Sequence, residues 1–322
     1  MPKVFISSNT LFGYKSHIGF SRFFDESEKY FNGELIPFLH KYAKPDDYFI
    51  ILGGIFAGRQ NINVKSTIFA QNIFEKISSI LPLYLVVGEH DRYQNSNELN
   101  AISIFKNIKN VHVITSKDVI HNDKILISSY AKNIQSVIKG HSNIEYLFFT
   151  NDPSVVFSYK DVFNQYKKVY TGFSKENGIE GNIINVGSPY QTEPNTQAKG
   201  ITVLDLDSGK DKFLPNGIST KFKKIHIETI SQLENIDKSI FDNNFVDVIV
   251  SKELYENNEF RIKISEFDIQ SLSYEESDII EEIDTSVSDI FNVDELILSR
   301  IEHDEKLKEG FNNIVKIHNQ EL

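Results

Sequence analysis

The stretch YFIILGGIF, residues 48–56, decides the fold. Its first five residues are too few for a buried helix and too apolar for a half-solvated strand, so they read as a strand buried on both faces. The two glycines that follow let the chain turn sharply at the strand's end. The same design, an apolar strand followed by a glycine-containing polar turn, recurs at FISSNTLFG (Phe5–Gly13), VVGEHDR (Val87–Arg92), VYTGFSK (Val169–Lys175) and NVGSPY (Asn185–Tyr190). In open α/β folds the loops at such strand ends surround the ligand cleft.

Outward from these junctions, strands and helices alternate. Strands read at Val4–Ser7, Tyr48–Leu52, Leu83–Val87, Lys124–Ser129, Tyr146–Phe149, Lys168–Tyr170 and Asn182–Val186. Ser27–Tyr42, Lys65–Ser79 and Glu98–Lys106 carry helical periodicity. The alternation predicts an α/β architecture with helices covering sheets. ITVLDLD (Ile201–Asp207) ends in a turn at Ser208-Gly209, with KFLPN as its hairpin partner. Lys221–Ser265 reads as a small module: strand KKIHIETI, a helix around Gln232–Ser239, strand FVDVIVS and strand FRIKIS. From Tyr274 onward apolar residues such as Ile279, Ile283, Val287, Leu298, Ile301 and Phe311 recur at helical spacing on an acidic background. That stripe either packs on its own domain or offers a docking surface to a partner helix. The expected divisions are a first domain over 1–220, a small α/β capping module over 221–270 and an acidic helical region over 271–322.

Composition narrows the function classes. A chain of 322 residues has room for one large domain and a smaller one. Its 40% hydrophobic and 25% charged content belongs to soluble globular proteins rather than to disordered or fibrous ones. No apolar run approaches the ~18 residues of a membrane span. The opening MPKVFISS reads as a first strand rather than a signal peptide, so a cytoplasmic location is expected. The absence of cysteine excludes disulfides and thiolate metal sites. Ser251–Leu322 holds 7 Lys and Arg against 19 Asp and Glu, so the net charge of −11 falls almost wholly there. An acidic tail repels a phosphate backbone, and tight autonomous binding of nucleic acid is not expected.

The order and spacing of the five junctions resemble the calcineurin-type metallophosphoesterases. Within them they resemble the SbcD and meiotic-recombination-eleven nucleases, a family that includes the small subunits of T-even phage recombination endonucleases. GGIFAGRQ is similar to the family's second motif, VVGEHDR to its third and VYTGFSK to its last histidine motif. The stretch NVGSPYQTEPNTQAKGITVLDLDSGKDKFLPN resembles the close of its phosphoesterase domain, and IQSLSYEESDIIEEI has a counterpart near the C-terminus. The resemblance implies a calcineurin-like sandwich of two central β-sheets flanked by helices, with a small α/β capping module and C-terminal helices.

Family members hold two divalent ions, typically manganese, with an aspartate bridging them. Carried onto this sequence position by position, the ligand set is gone. Ser8 and Thr10 stand where the first motif has Asp and His, and Gly54 replaces the bridging Asp. Glu89 replaces the Asn ligand, Asn151 falls at the next His, and Phe173 and Lys175 replace the final histidines. His90, with Asp91 beside it, matches the family's leaving-group residue, which is not a metal ligand. Lys175 also opposes metal: at an effective dielectric of ~20, unit charges ~4 Å apart interact by about 4 kcal/mol, and a dication would feel twice that. No metal and no catalytic residue are expected. A relocated site at Glu89, His90 and Asp91, joined by Asp152 and His17, is the competing reading. Lys15, Arg59, Arg92 and Lys175 are either contacts for a phosphate backbone or solvated surface charges.

The function these readings imply is a non-catalytic, phage-encoded SbcD-like subunit. It would scaffold or regulate recombination, repair or replication, dimerise, and dock on an SbcC-type, SMC-family ATPase. One alternative is a fold recruited as a decoy or as a subunit of unrelated machinery. Another is a metal-dependent DNA nuclease with displaced ligands.

Overall fold

The computed structural model describes residues 2–13, 20–58, 61–138, 143–151, 160–192, 197–242, 244–269 and 271–274. All of these lie in one compact unit, Met1–Glu275. The helical stretch expected beyond Tyr274, and Lys15, His17, Arg59 and Asp152, fall outside the described residues.

The doubly apolar runs become the middle layers of a sandwich. In the first sheet β1 (Lys3–Ser7), β2 (Tyr48–Leu52), β3 (Leu83–Val86) and β6 (Val111–Ile114) run parallel. The antiparallel hairpin of β13 (Gly200–Asp205) and β14 (Asp211–Pro215) extends it, in the order β14-β13-β1-β2-β3-β6. The second sheet has the order β11-β12-β10-β9-β8-β7. Its strands are β7 (Lys117–Ile120), β8 (Ile125–Ser128), β9 (Tyr146–Phe149), β10 (Lys168–Thr171), β11 (Gly178–Glu180) and β12 (Ile183–Asn185). Ile6, Ile50 and Val86 of the first sheet meet Ile127, Phe148 and Tyr170 of the second in one buried cluster.

Helices close the outer faces. α1 (Phe20–Tyr30) and α2 (Ile36–Tyr42) are joined by a π turn at Phe31–Leu35, and α3 (Val64–Ser78) starts at Asn63, whose side chain accepts from the Lys65 and Ser66 amides. Phe31, Leu39, Ile73 and Phe74 from these helices pack on Phe5, Phe49 and Leu85. On the other side α4 (Ile134–Ile138) and α5 (Lys160–Phe163) supply Val137 and Phe163 to a cluster with Leu126, Leu147 and Val169. The expected α/β architecture, helices outside two central sheets, is the one adopted.

A third sheet, parallel throughout, comprises β15 (Lys221–Ile227), β16 (Asn244–Val250) and β17 (Ser271–Tyr274). Its helices are α6 (Ile230–Asn235), α7 (Lys252–Glu256) and α8 (Asn258–Ile264). The linker into it is held by two carboxylates of the helical layer. Glu34 accepts from the Gly217 amide at 3.0 Å, and Glu26 accepts from the Thr220 amide at 2.7 Å.

Three assignments need correction. Ser271–Tyr274, expected to open the helical region 271–322, is the strand β17 and belongs to the third sheet through its pairing with β16, so the module expected over 221–270 runs on to Tyr274. FRIKIS is helix, not strand: Asn257 caps it by accepting from the Phe260 amide, and Phe260 and Ile264, one turn apart, are buried while Ile262 is 67% exposed. Glu98–Lys106 is not a helix. Arg92–Tyr93 (β4) and Ser96–Asn100 (β5) form a hairpin turned by Gln94 and Asn95, both with positive φ, and only Ser103–Phe105 makes a 3₁₀ turn.

Candidate functional site

Because β1, β2 and β3 run parallel, as do β9, β10 and β12, their C-terminal ends gather six loops at one end of the sandwich. Hydrogen bonds join the loops across the two sheets. Ser8 Oγ donates to the Gly187 carbonyl at 2.7 Å, and Thr150 Oγ1 donates to the Val87 carbonyl at 2.9 Å. The Tyr190 hydroxyl donates to the carbonyl of Thr10. Burial and the neighbouring Tyr30 push the Tyr190 phenol well above its usual range, so it stays a donor.

Asp91 is the centre of one knot. Its carboxylate is fully buried and accepts from the amides of Gly54, Ile55 and Gly88, each at 2.9 Å. Burial pushes its carboxyl up to about 6, against the pull of the N–H groups of Gly88, Ile55, Gly54 and Phe56. The side chain therefore ties the β2 loop to the β3 loop. Every observed partner is a backbone donor, which is the surrounding of a structural carboxylate.

Asn9 is the centre of another. It sits at φ +48, a conformation asparagine tolerates better than most residues. Its Nδ2 donates to the carbonyls of Gly172 at 2.7 Å and Ser174 at 2.9 Å, with the Phe173 carbonyl and Ser8 Oγ both at 3.3 Å. Its Oδ1 lies over Gly54. A Cβ built on Gly54 would stand 2.3 Å from that oxygen and 3.1 Å from the Asn9 Cα, and Gly54 itself has φ +63. Glycine at 54 and asparagine at 9 thus fill one space together.

The remaining expected positions are accounted for by packing and hydrogen bonds. Thr10 Oγ1 donates to the Ile55 carbonyl at 3.1 Å. Asn151 is spent on Ala131, accepting from its amide at 3.1 Å and donating to its carbonyl at 2.7 Å. Glu89 and Lys175 are half-buried, and the exposed His90 ring stacks on Phe173 with centroids 5.5 Å apart. Arg92 is 4% exposed, lies 4.6 Å from the centre of the Tyr130 ring and donates to the Asn95 carbonyl, so its guanidinium points into the hairpin.

No protein-family model matches the chain, and no curated protein does. A solved archaeal phosphodiesterase is 14% identical with a TM-score of 0.35, over 66% of this chain and 99% of its own. A protein of unknown function from Aquifex aeolicus is 16% identical with a TM-score of 0.28, over 47% and 79%. Another solved chain reaches a TM-score of 0.41 at 13% identity, over 67% and 100%. Likenesses this faint carry no functional argument.

The donor set can be tested directly against a pair of hard cations, which take several carboxylate or imidazole ligands. Among the described residues no group of three His, Asp or Glu side chains converges as a metal site. Among the described residues the buried carboxylate of these loops, Asp91, is saturated by amides, and the side-chain oxygens of Ser8, Thr10, Thr150 and Asn151 serve backbone partners. Ser7 Oγ and Ser188 Oγ are buried without a hydrogen-bond partner, and two hydroxyls do not make a dication site. The described residues do not fit two dications. Asn9 and Tyr190 had no place among the expected site residues. The available signal was an asparagine at a strand exit facing a Gly-Gly turn.

Proposed function

We propose that the chain is a metallophosphoesterase-type protein of the SbcD kind that keeps the family's loop framework without its two-metal chemistry. It works as a non-catalytic subunit in DNA recombination, repair or replication. The order of the five strand-loop motifs, and the gathering of those loops at one end of two sheets, support the family reading. The observation that carries the loss of catalysis is the filled space between Asn9 and Gly54, where the resemblance puts the bridging aspartate. A subunit of this kind acts through contacts. Its partner in this reading is an SbcC-type ATPase, with a second copy of the chain as the other contact.

Titration of manganese into the purified chain, followed calorimetrically, is expected to give no saturable binding. Single- and double-stranded DNA are expected to survive incubation with the metal. Co-expression with an SbcC-type ATPase is expected to yield a complex stable to size exclusion. Saturable manganese binding, together with DNA cleavage that His90→Ala abolishes, overturns the proposal.

A further inference from the structure

The Asn9 amide has surroundings that an amide does not need. Four oxygens, the carbonyls of Gly172, Phe173 and Ser174 and the hydroxyl of Ser8, lie 2.7–3.3 Å from one nitrogen. That nitrogen carries two protons and can serve two of them well. The Ser8 hydroxyl spends its own proton on the Gly187 carbonyl, so what it turns toward Asn9 is a lone pair. The carbonyls have no proton to give. The amide must therefore face them with its nitrogen, which fixes its orientation. Several neutral oxygens converging on one point, three of them from consecutive carbonyls, form the coordination environment of a hard cation.

We infer that this cage is a latent cation site, and that Asn9 closes it by putting a partly positive NH₂ group where an ion would sit. The inference rests on the proposed loss of the metal pair and adds how the loops survive that loss. Uncharged oxygens suit a monovalent ion such as potassium or sodium. A carboxylate in place of the amide puts an oxygen at the ion's own position and keeps the site shut.

The test uses the full chain and two variants. Asn9→Gly removes the amide at a position whose φ of +48 suits glycine, so the backbone is not strained by the change. Asn9→Asp replaces the donor by an acceptor. Melting temperatures are compared in potassium, sodium and choline chloride of equal ionic strength, and with calcium chloride. The unaltered chain is expected to melt alike in the three monovalent salts. Asn9→Gly is expected to melt about 2–4 °C higher in potassium or sodium than in choline. Asn9→Asp is expected to melt lower than the unaltered chain and to show no ion-specific shift, because its carboxylate oxygen takes the same point and faces four lone pairs. If Asn9→Asp does not fold, Asn9→Gly alone decides. An absence of ion-specific shift in Asn9→Gly overturns the inference, and so does an equal shift in the unaltered chain. Failure of the proposed function is read separately, as manganese binding and cleavage by the unaltered chain.

Discussion

Replacing Gly54 is the sharpest probe of the filled cleft. Gly54→Asp would place a carboxylate where the sequence resemblance puts a bridging aspartate, and Gly54→Ala isolates the steric part. Two costs follow from the geometry. A side chain at φ +63 costs ~1 kcal/mol in the left-handed region. The new Cβ, 2.3 Å from Asn9 Oδ1, forces the amide out of its place. That breaks its bonds to the Gly172 and Ser174 carbonyls, at about 1 kcal/mol each. The sum for alanine is about 3 kcal/mol, and aspartate adds repulsion from the buried Asp91. Urea unfolding followed by circular dichroism measures it. At a slope of about 2 kcal/mol/M the midpoint should fall by roughly 1.5 M. In Asn9→Gly/Gly54→Ala the obstructing side chain is already gone, so adding alanine should cost only the backbone term of ~1 kcal/mol and a small adjustment to the Cα of residue 9, 3.1 Å away. A loss below about 1 kcal/mol for Gly54→Ala, or strict additivity in the double variant, refutes the reasoning.

Other changes test other parts of the account. Asp91→Asn turns an NH₂ toward the amides of Gly54, Ile55 and Gly88, leaving at least one buried donor unpaired; unfolding in urea should show a loss of about 2–4 kcal/mol. Phe260→Ala should cost about 3–5 kcal/mol, whereas Ile262→Ala should stay within about 0.5 kcal/mol, since only the first faces the core. Burial pushes the phenols of Tyr84 and Tyr166 up to about 12, and those of Tyr30, Tyr170 and Tyr190 higher still. Their contribution to stability is complete below the unfolded value of about 10 and is lost as pH rises through 12, because the unfolded chain gives up protons the native state keeps. Phenolate absorbance should therefore show only part of the 14 tyrosines ionising before the fold opens; all of them titrating near pH 10 in a folded chain would contradict the burial argument.

Much of the sandwich was legible because its strands are apolar on both faces. Phe49–Leu52, Leu83–Val86 and Tyr146–Phe149 admit no polar side, so their pattern points to a middle layer and the structure buries them completely. Where an element has a polar face, the reading weakened. In FRIKIS the apolar residues Phe260, Ile262 and Ile264 fit a strand of period two, and Phe260 with Ile264 equally fit a helix. The cap decides, and Asn257, three residues before Phe260, was the neglected signal. β17 was hidden for the opposite reason: SLSY has little apolar content of its own, and its strand state comes from pairing with Asp247–Val250 of β16. The β4–β5 hairpin depends on Gln94 and Asn95 adopting positive φ, which a helical count through Glu98 cannot reveal.

The site divides in the same way. Whether a position can supply a ligand side chain can be read from residue identity, because the side chains of glycine and phenylalanine offer no donor at any geometry. What takes the ligands' place cannot, since it depends on which loops meet. A metal pair bridging six loops would cross-link them as well as do chemistry, and a chain without such a pair must hold those loops by other means. Here Asp91 ties the β2 loop to the β3 loop, Ser8 ties β1 to β12, and the Asn9 amide ties β1 to β10. Each tie uses backbone groups of the partner loop, so it survives changes in the partner's side chains. His90 fits this picture. It needs no catalytic role to keep its position, because its ring already has Phe173 to lie against. Placing a metal pair in this cleft would therefore take more than new ligand side chains: the Asn9 amide that fills it must leave first.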